Sequence, residues 1–187
     1  MRLKGFIIAL AMFVLCSMPA CAAYMDSFTS DAHIKSALVL LQEAGAQEVF
    51  ENLEENSVKI VFYDLTQISF KYMNHFAINS VDTFGNRYIM INTKFKNASP
   101  EEIACLIAHE SFHKLKVATF EEETLATSKE AYYWGILKKE NKQYAPSELL
   151  TRLDRLAELD SHSNANRNLI RERIGNSSFY REQLAIR

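Results

Sequence analysis

His109-Glu110-Ser111-Phe112-His113 is the stretch on which the reading of this chain turns. Residues four apart stand one above the other on a helix, so His109 and His113 present two imidazoles on one face. Glu110 follows the first of them. Upstream, Ser99-Pro100-Glu101-Glu102 supplies a helix start. Ser99 is a good N-cap, Pro100 suits the first helical position, and Glu102 stands where a capping box needs it. Ile103, Leu106, Ile107 and Ala108 then recur at helical spacing, with no Gly or Pro before His113. The pattern predicts an unbroken helix from about residue 100 through the motif.

Two histidines and a glutamate in this order suit a zinc ion and an activated water. Tetrahedral zinc in a catalytic site takes a third protein ligand and leaves one position open. The chain soon offers Glu121-Glu122-Glu123-Thr124-Leu125-Ala126. Thr119 reads as the N-cap of a second helix, with Glu122 at its capping-box position. Folding that helix back against the first brings an acidic side chain toward the two histidines. The residues themselves leave Glu122 and Glu123 both open as that ligand.

His-Glu-x-x-His on one helix and Glu-x-x-Ala on the next resembles the gluzincin group of zinc metallopeptidases. The resemblance covers roughly residues 88–137. It implies His109, His113 and Glu123 as zinc ligands, Glu110 as general base, and peptide or protein as substrate. It also implies that a sheet edge near the metal holds substrate as an added strand, with Tyr88 to Thr93 as that edge. Tyr133 or His162 would stabilise the oxyanion. The match is to a compact, divergent member. Only nine residues separate His113 from Glu123, Thr127 follows Ala126 where relatives carry Asp or Asn, and Lys114 follows the second histidine. The competing class is a zinc-stabilised, non-catalytic binding protein of the cell envelope. The presence of Glu110 speaks against it, since a structural site needs no base.

Outside the motif the pattern is α+β. Ser30 and Asp31 open a helix that runs toward Gly45, and Gln47 to Glu54 forms a second. Val58 to Tyr63 reads as a strand, rich in β-branched and aromatic residues. A strand lies near Phe76 to Val81, turn chemistry occupies Asp82 to Asn86, and Arg87 to Thr93 is a strand. These strands predict a small mixed sheet or β-hairpin packed on the motif helix and the glutamate-bearing helix. Tyr132, Tyr133 and Trp134 are expected to pack the core. From residue 146 the chain reads as helical: Pro146-Ser147 to Leu159, Asn168 to Ile174, and Phe179 to Ile186.

The first 22 residues read as a secretory signal peptide. Arg2 and Lys4 precede an apolar run from Gly5 to Leu15, and Ala20-Cys21-Ala22 is a small-x-small cleavage site. The run falls short of the roughly 20 residues a membrane span needs. Cleavage near Ala22 leaves residues 23–187 as one metallopeptidase-like domain, secreted or periplasmic. Membrane association then requires lipidation at Cys21 or retention of the leader. Cys105 is the one cysteine left, so no disulfide forms within the mature chain; it is expected to be a small core residue. The full chain carries 21 basic and 23 acidic residues. That balance gives no general attraction to nucleic acid.

Overall fold

The computed structural model describes residues 23–114, 118–160 and 166–177. The leader, His162 and the expected helix at 179–186 lie outside the described residues. In chain order the elements are α1 (Ala32–Glu43), α2 (Gln47–Glu55), β1 (Lys59–Tyr63), β2 (Ala77–Val81), β3 (Arg87–Asn92), α3 (Pro100–Ser111), α4 (Phe120–Leu137), α5 (Glu148–Asp160) and α6 (Asn166–Asn176). The class is α+β with a small mixed sheet. The stretch between β1 and β2 holds two short 3-10 turns, Leu65–Gln67 and Phe70–Tyr72.

Local chemistry sets the ends of these elements. Asp31 accepts from the His33 and Ile34 amides at 2.8 and 3.1 Å and starts α1. Gly45, at φ 72°, reverses the chain between α1 and α2. At the β2–β3 turn, Asp82 accepts from the amides of Phe84 and Asn86, and Gly85 takes φ 89°. Ser147 Oγ accepts from the Leu150 amide at 2.9 Å and opens α5.

The sheet has the order β1-β3-β2. β1 runs parallel to β3, with Ile60 opposite Ile89, and β2 runs antiparallel to β3, with Asn79 opposite Ile89. This corrects one expectation. The strand from Tyr88 is the central one, flanked on both sides, so its backbone bonds are taken by β1 and β2. The edges of this sheet are β1 and β2. The physical reason is its composition: Ile89 and Ile91 are both fully buried, which suits a strand with neighbours on either side.

The helix α3 runs through the middle of the molecule. Every residue from Glu101 to Ser111 is buried. It contacts α1, α2, α4, α5, β2 and β3. One apolar cluster joins Ile34, Leu38 and Leu41 of α1, Ile60, Ile89 and Ile91 of the sheet, and Ile103 and Ile107 of α3 to Trp134, Leu149 and Leu153. The aromatic run on α4 divides: Tyr133 and Trp134 are buried, while Tyr132 is half exposed because it faces away from α3 and α5. Trp134 Nε1 donates to Asp154 Oδ1 at 2.8 Å, which satisfies its only polar atom.

Candidate metal centre

The start of α3 is fixed by the capping box the sequence predicts. Ser99 Oγ accepts from the Glu102 amide at 3.3 Å, and Glu102 Oε2 accepts from the Ser99 amide at 2.8 Å. Its end is fixed by the β2–β3 hairpin. Asn79 Nδ2 donates to the carbonyls of Glu110 and His113, both at 3.1 Å. Arg87 donates to the carbonyls of His113 and Lys114 at 3.3 and 2.6 Å. Carbonyls at a helix C-terminus lack partners within the helix, and these side chains supply them. The turn that carries the motif is therefore tied at both ends.

His109 and His113 turn their Nε2 atoms toward each other, 3.2 Å apart. Glu123, from the first turn of α4, closes the triangle. Its Oε2 lies 3.7 Å from His109 Nε2, and its Oε1 lies 3.5 Å from His113 Nε2. Ligands at about 2.0–2.1 Å from a tetrahedral zinc are about 3.3–3.4 Å from one another. The three groups fit that spacing, and all three residues are buried. Two imidazole nitrogens and a carboxylate oxygen converging among buried residues are costly unless a cation or a proton is shared among them. The donor set suits zinc.

Behind His109 stands a group the sequence reading did not find. Glu130 is fully buried, and its Oε2 is 3.0 Å from His109 Nδ1. Arg152 of α5 grips the same carboxylate with Nε and Nη2 at 2.8 and 2.7 Å. A carboxylate at Nδ1 sets the ring orientation and leaves the Nε2 lone pair toward the metal position. A signal for Glu130 was present. It is seven residues beyond Glu123, two turns along the same helix face. Arg152 interrupts the apolar stripe Leu149, Leu153, Leu156, which is the one hint that it is used inside.

The charges around the site follow from this packing. Burial alone would raise Glu130, yet Arg152, with His109 beside it, holds it down at about 2. Burial would lower His109, but Glu130, Glu123 and Glu110 outweigh it and lift it to about 8. Burial, and then the charge of His109, push His113 down to about 3. Glu110 is raised to about 7, first by burial and then, against the pull of His109, by Glu123 and Glu130. Burial likewise raises Glu123.

The remaining expected residues fall as follows. Glu122 contributes its amide to the Thr119 cap at 3.1 Å, but its carboxylate accepts from the Lys114 amide at 2.6 Å. The capping box at Thr119 is therefore half formed, because the neighbouring chain offers that carboxylate a donor. Glu122 Oε2 faces His113 Nδ1 at 4.0 Å, so it sits behind that ring rather than among the Nε2 atoms. Glu121 is exposed and lies 3.6 Å from Arg171. Tyr133 is buried on α4. Burial, then Glu48 and Tyr132, raise its phenol to about 12, and none of these belongs to the cluster. Cys105 is a free, buried thiol in α3. His33 is tied to the Ala98 carbonyl at 2.7 Å, a structural contact.

No family model, curated protein or solved structure matches this chain.

Proposed function

We propose that this protein is a zinc metallopeptidase of gluzincin type, secreted or periplasmic, with His109, His113 and Glu123 as the metal ligands and Glu110 as general base. The observation that carries the reading is the convergence of His109 Nε2, His113 Nε2 and the Glu123 carboxylate at 3.2–3.7 Å, with the buried Glu110 adjoining the first ligand. Glu130 extends it, because a site built only to fill space has no need of a buried carboxylate aimed at a histidine Nδ1.

Zinc bound there would polarise a peptide carbonyl and make water a nucleophile near neutral pH. The chain's own residues do the rest. Glu110 accepts the proton of the attacking water and passes it to the leaving amine nitrogen. Asn79 and Arg87 hold the turn between Glu110 and His113, so the base keeps its place relative to the ligands. An extended substrate would pair with the outer side of β2, the edge that carries Asn79, instead of with β3.

The test is zinc analysis and peptide hydrolysis on wild type and Glu110→Gln. The variant should retain zinc and lose about 10²–10⁴-fold in kcat. Full hydrolysis by zinc-loaded Glu110→Gln would overturn the mechanism.

A further inference from the structure

One cavity of about 380 Å³ lies between the start of β2 and the helices α5 and α6. Its wall carries Arg152, Arg155 and Arg173, with Phe76 beside them and Glu148 as its one carboxylate. Glu148 pairs with Lys94 at 3.4 Å. Among the described residues no carboxylate pairs with Arg155 or Arg173, whereas Arg152 holds Glu130 through Nε and Nη2. Ser147 and Thr151 also line the space, but their hydroxyls donate to Glu102 and to the Ser147 carbonyl. The free donors of the cavity are thus the guanidinium groups of Arg155 and Arg173.

Arg155 and Arg173 are exposed cations on one wall, with Arg152 already paired to Glu130, and an anion between the two lowers their mutual repulsion. Guanidinium groups match a carboxylate in two-point hydrogen bonds. The Phe76 ring lies 5.4 Å from Arg152 Cζ and offers an apolar face to whatever stem carries the anion. The cavity is joined to the metal centre by contact: Arg152 forms its wall and holds Glu130, which stands against His109.

Resting on the peptidase reading above, we propose that this cavity is a specificity subsite that accepts a carboxylate of the peptide substrate, held by Arg155 and Arg173, with Arg152 lending its charge from its place on Glu130. The carboxylate is that of an acidic side chain or of a free chain end. A neutral occupant would leave Arg155 and Arg173 without a counter-charge, so selectivity follows from what the cavity rejects.

The experiment incubates the zinc-loaded full chain with a randomised peptide pool, once with free carboxyl ends and once amidated, and reads cleavage sites by mass spectrometry. Bonds near Asp, Glu or a free end should be cut at least about tenfold faster than matched Asn, Gln or amide counterparts. The Asp/Glu arm and the free-end arm separate the two sources. Arg155→Gln/Arg173→Gln should erase the preference, and the exposed Lys96→Gln, a control for charge, should keep it. Wild type without an anionic preference, or a double variant that retains it, overturns the subsite while leaving the peptidase reading intact. If zinc-loaded wild type cuts no peptide, the peptidase reading fails instead. Titration of glutarate by calorimetry then decides the cavity: binding weakened about tenfold or more in the double variant supports it, and equal or absent binding overturns it.

Discussion

At the residue scale, the centre divides into groups that face the metal position and groups that aim them. Glu123→Ala should abolish stoichiometric zinc binding, and Glu122→Ala should not, because its carboxylate is engaged with Lys114. Metal analysis of the two purified variants checks this, and zinc loss in Glu122→Ala alone would reverse the assignment. Glu130→Gln should weaken zinc affinity about 10–100-fold, the usual cost of losing a carboxylate behind a ligating histidine. Competition with a chromogenic chelator measures it; unchanged affinity contradicts the role given to Glu130. The same residues set a pH dependence in the metal-free protein. Folded His109 keeps its proton to about 8, while the unfolded ring releases it near 6.5. The folded state therefore binds more protons between those values, and stability falls as pH rises through the window. Glu110, raised to about 7, acts with the same sign; His113, lowered to about 3, opposes them near the lower end, where its unfolded ring still holds part of a proton, and is outweighed by the two together. Urea midpoints in chelator at either end of the window test it, and a midpoint that climbs with pH refutes it.

At the element scale, α3 is held by caps that differ in how far sequence reveals them. The Ser99–Glu102 box is local, three residues apart, and could be read directly. The cap at the other end comes from Asn79, about thirty residues upstream, and no pattern in the chain announces it. Asn79→Ala removes one donor from each of the carbonyls of Glu110 and His113, which keep the His113 amide and Arg87, and should cost about 0.5–1.5 kcal/mol, seen in the denaturation midpoint. Ser99→Ala should cost about 1 kcal/mol. The distinguishing feature is activity: Asn79→Ala loosens the turn carrying the base and should lower kcat, whereas Ser99→Ala acts a helix length away. Equal kcat in the two variants would remove Asn79 from its positioning role. The same contrast explains the misplaced strand. Burial and turn residues identify β3 as a strand, but its place between β1 and β2 depends on pairing with residues 59–63, which periodicity alone does not encode.

At the scale of the whole molecule, the centre is assembled from α3, α4 and α5, so the helical C-terminal part is a working component of it. The grouping of His109, His113 and Glu123 was legible because residues that converge from one helix and the next are spaced within short stretches. Arg152 was not, because its partner Glu130 lies 22 residues away across a helix pair. Leu153, fully buried beside Leu149 and Trp134, ties α5 into the common core. Leu153→Ala should cost about 2–5 kcal/mol by equilibrium unfolding. A near-zero change would mean that α5 contributes little to the packed state.

The arrangement β1-β3-β2 also orders events in time. β2 and β3 are close in sequence and meet through a tight reversal at Asp82–Asn86, so their union requires little chain entropy. β1 must wait for β3 to arrive before it has anything to join, and it joins across the whole intervening segment. Contacts of that separation form late and slowly. The ribbon that clasps the end of α3 is therefore expected to be an early piece of the refolding chain, and the strand on the far side its last addition.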